Sequence, residues 1–480
     1  MAQFIVVQVG QCGNQIGSRF WDLALREYSQ YNKKNIYNHA TSSFFRNVRT
    51  SHNMCLDIPR VKGEEKISAL KARAVLIDME EGVVNEILKG PLRDVFDCRQ
   101  LITDVSGSGN NWAVGHKMYG TKYENEIIEV LKKAAESCDS LQCFFVLHSM
   151  GGGTGSGIGT FVLKILAEFF PDVYRFVVPV YPSMDDDVIT SPYNSVLAMS
   201  QLTEYADVVL PIENKALQDI VATVVKHADM SKVRTDTTTH VDTSSSLASG
   251  KGGTQKKEKP FDAMNNVVAN LMLNLTSSAR FEGSLNVDIN EISMNLVPFP
   301  KLHYLVSSQS PLYTTKSLKL PPRSLDQMFT SAFSPENQML KVDPKRSVYL
   351  ACSLLVRGQV DVSDIRRNID RMRPQLKFIP WNEDGWKTGL CSVPPVGLPY
   401  SVLSLSNSTC ITNTFSELLQ RFNKLYKRKA HIHHYTQVDG MDLGLFAEAA
   451  DSLSSVINDY YAFENQYTST RIDTPRLRVL

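Results

Sequence analysis

The chain lacks net charge and long apolar stretches, and both absences exclude classes of protein. Its 51 Lys and Arg residues are balanced by 50 Asp and Glu residues over 480 positions, which leaves a formal net charge of +1. Such a balance supplies no general attraction to nucleic acid or to an anionic membrane surface. No run of about 18 apolar residues occurs, so the sequence predicts no membrane span. Neither nucleic acid nor a membrane is therefore an expected partner.

Two further absences concern the cellular compartment. The first seven residues have no basic flank and no cleavage site, so they are predicted to form a first strand and not a signal peptide. The eight cysteines are dispersed and form no C-x-x-C pair. This usage is typical of reduced thiols, and the sequence predicts a cytosolic protein.

The first 215 residues alternate short apolar strands with amphipathic helices. This alternation is typical of an α/β domain in which helices cover both faces of a parallel sheet. The clearest predicted strands are residues 4–9, 73–77, 144–147, 176–180 and 208–211. Helices are predicted over residues 11–28, 123–137 and 155–170.

Composition changes abruptly at residues 231–259. This stretch of 29 residues holds eleven Ser or Thr and six Lys or Arg. It cannot bury enough apolar surface to offset its ordering entropy, so a disordered surface loop is predicted. Two interpretations stay open, a plain linker and a loop that docks a partner or is phosphorylated.

A second region begins after this stretch. Residues 261–280 predict a long helix whose centre is apolar on every side, as in a helix packed all round. An α/β pattern continues to about residue 413, and two helical patterns follow at 415–429 and 441–461. The predicted division is thus residues 1–215, residues 216–413 with the insertion, and residues 414–480.

The strongest local signal is the glycine-rich segment HSMGGGTGSG, residues 148–157. It follows a predicted strand and opens a helix. Glycines let successive backbone N–H groups turn toward one point, and the helix N-terminus adds partial positive charge there. This pattern predicts a phosphate-binding loop, with hydroxyl donors at Ser149 and Thr154. A flexible tight turn is the alternative.

The signature of a Walker-type loop, G-x-x-x-x-G-K-[ST], is absent. Two other small-residue loops, at residues 10–15 and 106–111, follow the same pattern between strand and helix. Such loops share the carboxyl edge of a parallel sheet, where ligands bind. Asp78 and Glu80 belong to the same edge, where Glu80 could hold Mg²⁺ through water. A helix N-cap is the alternative for Glu80.

Several longer blocks of sequence occur in the order in which tubulins carry them. They are GQCGNQIG, SGSGNNWAVGH, HSMGGGTGSG, SPYN, RFEGSLNVDINEISMNLVPFPKLH and CSVPPVG. Together they cover nearly the whole chain, which resembles the tubulin superfamily. The resemblance implies a tubulin-like α/β fold: a parallel, Rossmann-like GTPase sheet, a central helix, an α/β intermediate domain and a helical C-terminal region. It also implies GTP or GDP with Mg²⁺.

The resemblance also implies site residues. Glu80 matches the Mg²⁺-linked glutamate of the family, with Asp78 beside it. Asn214 and Asn265 match asparagines that bond the guanine edge, where an amide offers both a donor and an acceptor. The residues expected around the phosphates and sugar are Gln11, Cys12, Gln15, Ser149, Gly152, Gly153, Thr154 and Gly155.

The chain departs from the family pattern at two of these positions. Phe261 stands where tubulins usually have a tyrosine that stacks on guanine, so the ring is kept and the hydroxyl lost. Ser191 replaces the glutamate that contacts ribose in α- and β-tubulin, while Asp187 keeps the preceding polar position. Sugar contacts are therefore expected to be weaker.

Glu291 is α-like. In α-tubulin a glutamate here reaches the nucleotide site of the next subunit and orients the attacking water, whereas β-tubulin has lysine. The resemblance implies that Glu291, supported by Asp288, activates GTP hydrolysis on a neighbour. An acid on the protein surface is the alternative.

Within the superfamily, the chain most resembles the epsilon class of tubulins. Three features carry this resemblance: the insertion, the basic C-terminus and the sequence block ISALKARAVLIDMEEGVVNEIL. That class implies a cytoskeletal role at centrosomes, centrioles and basal bodies, in forming or maintaining triplet microtubules. The expected partners are other tubulins, delta-tubulin first and α- or β-tubulin second. Two competing hypotheses are a nucleotide-dependent metabolic enzyme and an adaptor that binds nucleotide without hydrolysing it.

Overall fold

The computed structural model describes residues 2–51, 54–58, 65–183, 188–236, 261–281, 283–312 and 324–473. The strands of this part, in chain order, are β1 Gln3–Val9, β2 Phe45–Ser51, β3 Met54–Asp57, β4 Ala69–Ala72, β5 Ala74–Asp78, β6 Leu101–Thr103, β7 Leu141–Ser149, β8 Tyr174–Tyr181, β9 Val208–Val209, β10 Ile212–Glu213, β11 Leu305–Ser310, β12 Val348–Gly358, β13 Lys377–Phe378, β14 Trp386–Cys391 and β15 Tyr400–Ser408.

The α-helices of the same part alternate with these strands. They are α1 Gly10–Tyr31, α2 His39–Ser42, α3 Glu81–Lys89, α4 Gly120–Glu136, α5 Gly159–Phe169, α6 Ser191–Tyr205, α7 Asn214–Asp236, α8 Asp262–Leu275, α9 Ser277–Arg280, α10 Ile289–Leu296, α11 Leu325–Ala332, α12 Val362–Met372, α13 Ile411–Tyr426, α14 His433–Thr436 and α15 Leu443–Asp473. None of the described helices is long and apolar enough to cross a membrane.

The N-terminal sheet is parallel throughout. Its strand order is β10-β8-β7-β1-β5-β6, with β9 beside β8. Every residue of β1 and β5 is buried, as strands covered on both faces should be. The prediction of an α/β fold with a parallel nucleotide-domain sheet is confirmed. Because all strands run the same way, the loops that follow them meet at one edge.

Two further sheets complete the described α/β structure. A mixed sheet has the order β11-β15-β12-β13, with β14 also paired to β12, and an antiparallel sheet joins β3, β2 and β4. The helix α8 lies between the parallel and mixed sheets, and its residues from Met264 to Leu275 are buried without exception. This burial confirms the prediction of a helix packed on every side. The C-terminal helices α13 and α15 pack against α6, on the other face of the parallel sheet.

Three details differ from the sequence-based expectation. The helix predicted at residues 261–280 is two helices, since Thr276 ends α8 before α9 begins. The helix α7 continues through residues 231–236, the first six of the predicted insertion, and residues 237–259 lie outside the described part. Finally, α4 and α5 each follow a π-helical turn, Val114–Tyr119 and Thr154–Ile158, which no periodicity in the sequence indicated.

A buried charge cluster joins the two α/β regions. The Glu27 carboxylate on α1 accepts hydrogen bonds from Arg280 at the end of α9 and from Arg357 on β12. All three side chains are at most 1% exposed. Burial opposes ionisation of Glu27, but the two guanidinium groups outweigh it and hold the pKa of Glu27 below its usual range. The cluster therefore stays fully charged at neutral pH.

The substitution Glu27→Gln tests this cluster. It leaves two buried cations without their counter-charge, so we expect the free energy of unfolding to fall by about 3–5 kcal/mol. Thermal or denaturant unfolding measures the change. The matched control is Glu129→Gln, which breaks an exposed pair with Lys133 and should leave stability nearly unchanged. Equal effects of the two substitutions would contradict the assignment.

Candidate nucleotide-binding site

A cavity of about 350 Å³ opens at the carboxyl edge of the parallel sheet. It lies where β1, β5, β7 and β8 end, so its position follows from the strand direction. The lining residues are Gly10, Gln11, Cys12, Gln15, Ile16, Asp78, Glu80, Ser108, Gly109, Asn110, Ser149, Gly152, Gly153, Thr154, Gly155, Val180, Asn214, Leu217, Phe261, Met264 and Asn265.

Glycines let three backbone segments approach one another at the floor of this cavity. A Cβ added to Gly155 would lie 2.5 Å from Ser149 Oγ and 2.9 Å from the Ser149 backbone nitrogen. A Cβ on Gly153 would lie 2.5 Å from the Asn111 backbone nitrogen. Gly10 has a φ of +71°, a conformation that residues with a Cβ rarely adopt. These contacts require glycine at all three positions.

In the turn that follows β7, one glycine has free space beside it, unlike Gly153 and Gly155. A Cβ on Gly152 would meet nothing closer than Ser149 Oγ at 3.5 Å, so this residue faces the cavity. The Thr154 hydroxyl lies 2.7 Å from the Ser108 hydroxyl and thereby joins two of the loops. The glycine at position 152 leaves space for a ligand in front of the helical turn. The first N–H groups of a helix attract anions there.

Asn194 holds the loops together from behind. Its side-chain nitrogen donates to the Gly151 and Asn110 carbonyl oxygens, each at 2.8 Å. Its oxygen accepts from the Trp112 backbone nitrogen at 2.9 Å and from the Tyr435 hydroxyl at 2.6 Å. Sequence reasoning missed this role, and the only signal for it was the block SPYN at residues 191–194.

Two carboxylates stand at the rim of the cavity. Asp78 ends β5, and its Oδ1 accepts from the Glu80 backbone nitrogen at 3.3 Å. Its Oδ2 is buried and has no hydrogen-bond partner among the described residues, and burial raises the pKa of Asp78 to about 6. Glu80 occupies the N-cap position of α3, but its side chain makes no capping bond. Its carboxylate instead packs against Gly107, whose φ is +61°.

Apolar and amide side chains line the opposite side of the cavity. Phe261 is half exposed and stands one residue before α8, while Asn265 lies one turn further along this helix. Asn214 is the first residue of α7. Arg19 on α1 pairs with Asp262 at 2.5 Å and fastens the start of α8 to α1. The ring and the two amides all line the cavity.

Cys12 lines the cavity but is no nucleophile at neutral pH. Burial raises the pKa of its thiol to about 12, and a protonated thiol is a poor nucleophile.

One predicted sugar-binding residue is not in the cavity wall. Ser191 is buried at the start of α6, and its hydroxyl has no hydrogen-bond partner among the described residues. Asp187 lies outside the described residues. All other predicted nucleotide-binding and metal-binding residues line the cavity.

Glu291 and Asp288 lie at the opposite edge of the parallel sheet. Asn290 between them accepts a hydrogen bond from the hydroxyl of Tyr174, the first residue of β8, whereas the far end of β8 reaches the cavity. Eight residues of strand span about 25 Å, so Glu291 cannot reach the cavity of its own chain. Asp288 caps α10 by accepting from the Ile289 backbone nitrogen at 2.8 Å. Glu291 is half exposed and pairs with Lys387.

Comparison with known proteins identifies the family. The model of the Tubulin/FtsZ family GTPase domain matches residues 3–222, and that of the tubulin C-terminal domain matches residues 300–420. The chain belongs to the tubulin family. The tubulin epsilon chains of Homo sapiens and Mus musculus are each 60% identical to it over 486 aligned positions, covering 100% of both chains. The tubulin beta-1 chain of Colletotrichum graminicola is 32% identical, with 97% of this chain and 96% of the relative covered.

The family match agrees with the geometry of the tubulin chain described above. The matched GTPase domain contains the parallel sheet and most of the cavity wall. The remaining wall residues, Phe261, Met264 and Asn265, lie after the insertion and before the second matched segment. A GTPase domain of this family implies that the chain binds GTP or GDP.

Gly155→Ala tests the close approach at the cavity floor. The new methyl group would collide with the Ser149 backbone, so we expect the affinity for guanine nucleotide to fall at least about tenfold, for a loss of about 1.4 kcal/mol or more. Equilibrium binding of a fluorescent GTP analogue measures it. Gly82→Ala on α3 is the control, because a Cβ there meets nothing within 4 Å. Unchanged affinity of Gly155→Ala would contradict the assignment.

Proposed function

We propose that this chain is a GTP-binding tubulin subunit of the epsilon type. It acts in the cytoplasm at centrosomes, centrioles and basal bodies, where it helps to form or maintain triplet microtubules. Its partners are other tubulins, with delta-tubulin first and α- or β-tubulin second. The observation that carries the proposal is the glycine-floored cavity in a chain that is 60% identical, over its full length, to two tubulin epsilon chains.

The cavity residues fit a guanine nucleotide. The open side of Gly152 and the N–H groups of the turn suit a chain of phosphates, and Gln11, Gln15, Ser149 and Thr154 can add polar contacts. Asn214 and Asn265 carry the donor and acceptor that the guanine edge needs. The half-exposed ring of Phe261 offers a face for stacking. Asp187 and Ser191 stay expectations for the sugar, and the burial of Ser191 away from the cavity argues for weak sugar contacts.

The rim residues also fit a hydrated divalent cation. Glu80 makes no capping bond, and Asp78 has a buried oxygen without a partner among the described residues. Carboxylate oxygens suit Mg²⁺, which usually keeps several of its waters. Glu80 would hold the ion through water, with Asp78 beside it. The bound ion would neutralise phosphate charge, and the protein residues would orient the phosphates and exclude bulk water.

Glu291 activates hydrolysis on a neighbouring subunit in this proposal. Its position about 25 Å from the cavity supports a role in another chain, because a head-to-tail contact would bring this end of one subunit to the nucleotide end of the next. Both ends carry exposed apolar side chains that such a contact would cover. Examples are Val105 and Ile189 at the cavity end and Met294, Phe299 and Trp381 near Glu291.

A second candidate is an adaptor that binds nucleotide and caps a microtubule without hydrolysis. The observation that favours it is Ser191, which stands where α- and β-tubulin carry a ribose-binding glutamate and does not line the cavity. The two candidates differ in whether Glu291 matters for turnover.

The substitution Glu291→Gln tests hydrolysis in trans. A carboxylate that orients the attacking water contributes about 10²–10⁴ in rate, so phosphate release per assembled subunit should fall at least about 100-fold. The measurement is release of phosphate from GTP, with the chain alone and with delta- or α/β-tubulin, normalised to sedimented protein. Glu383→Gln is the control, because Glu383 is an exposed acid two residues after Trp381, which contacts Phe299 just after α10.

A cellular arm separates the two candidates. In cells depleted of the chain, wild-type protein should restore triplet microtubules, whereas Glu291→Gln should not. Full rescue by Glu291→Gln, together with unchanged phosphate release, would favour the adaptor. Normal triplets without the chain would count against the centriolar role altogether.

A further inference from the structure

The loop that precedes α10 is fastened to strand β14. Leu285 and Leu390 exchange two backbone hydrogen bonds, of 2.8 and 3.4 Å. A Cβ on Gly283 would lie 2.0 Å from the Leu390 carbonyl oxygen, so a side chain there would push the loop off the strand. Val287 packs on Gly389 so closely that a Cβ on this glycine would lie 2.9 Å from Val287 Cγ2. The start of α10 is therefore held in a fixed position relative to β14.

Lys387 lies on this same strand and pairs with Glu291. The two side chains are 31% and 45% exposed. The strand itself is rigidly held, since Lys387 lies opposite Ser353 in the pairing of β14 with β12. The preceding residue, Trp386, packs against Phe378 with ring centroids 5.0 Å apart. Lys387 thus lies on a strand that is held in place, and its partner Glu291 lies on a helix whose start is fastened to that strand.

The ion pair of Lys387 with Glu291 should contribute little to the stability of the fold. Partly exposed ion pairs contribute little to folding, whereas a glutamate without a partner samples several rotamers of its long side chain. A fixed cation nearby selects those rotamers that keep the carboxylate on one side of α10. When a neighbouring subunit covers this end of the molecule, water is excluded and the attraction between the two charges becomes stronger.

We propose that Lys387 is a positioning residue that orients the Glu291 carboxylate toward the nucleotide site of the next subunit. The inference rests on the proposed function, because it gives Lys387 a role only if Glu291 acts in trans. Lys387 does not touch the nucleotide in this account. Its effect passes entirely through Glu291, and this distinguishes it from a cation that contacts the phosphates directly.

The experiment is a double-mutant cycle on phosphate release from GTP per assembled subunit. The full-length variants are Lys387→Met, Lys387→Arg, Glu291→Gln and the double variant Lys387→Met with Glu291→Gln. Lys387→Met should lower turnover about fivefold, and Lys387→Arg should recover most of the loss because it keeps the charge. Guanine-nucleotide affinity, thermal stability and the fraction of sedimented protein should stay close to wild type. Lys301→Met is the control, since Lys301 is exposed near the same end and has no ion pair among the described residues.

The cycle separates failure of this inference from failure of the proposed function. If Glu291→Gln abolishes turnover and Lys387→Met leaves it unchanged, the positioning role is wrong and the role of Glu291 stands. If Lys387→Met lowers turnover further in the Glu291→Gln background, Lys387 acts independently of Glu291 and the inference is also wrong. If Glu291→Gln changes nothing, or if no mixture releases phosphate, both are wrong. If Lys387→Arg does not restore the turnover lost in Lys387→Met, the packing of the lysine side chain and not its charge causes the loss, and the positioning role is wrong.

Discussion

The backbone segments that follow β1 and β7 approach neighbouring atoms more closely than residues with side chains would allow. Gly10, Gly153 and Gly155 make this possible, because an added Cβ at each would lie between 2.5 and 3.1 Å from a neighbouring atom. The rest of the cavity depends on this floor. Gly152, in the turn after β7, lines the opening, and Asn194 holds two of the loops behind it together.

Much of this arrangement could be predicted from the sequence. Apolar strands alternating with amphipathic helices indicated a parallel sheet, and in such a sheet the loops after the strands share one edge. Glycine-rich loops at residues 10–15, 106–111 and 148–157 could therefore be brought together without a structure. The buried helix α8 was predictable too, because the centre of its sequence is rich in apolar residues.

Contacts between residues distant in the chain had no comparable signal. The Asn194 bonds to two loops, the Glu27 cluster with Arg280 and Arg357, and the pair of Glu291 with Lys387 each join segments that lie far apart in sequence. Ser191 could be recognised as a departure from the family pattern, but its burial away from the cavity follows from packing at the start of α6. The π-helical turns before α4 and α5 arise where glycines pack closely together, as Gly115 does on Gly157.

The cavity and Glu291 lie at opposite ends of the parallel sheet, so a head-to-tail contact is the geometry that can unite them. This account depends first on the cavity holding a guanine nucleotide. The most direct measurement is the nucleotide content of the purified chain, by acid extraction, chromatography and mass spectrometry. The account predicts close to one GTP or GDP per chain, displaced by added GTP and not by ATP. A chain that purifies empty and binds neither guanine nucleotide when each is added in excess would contradict it.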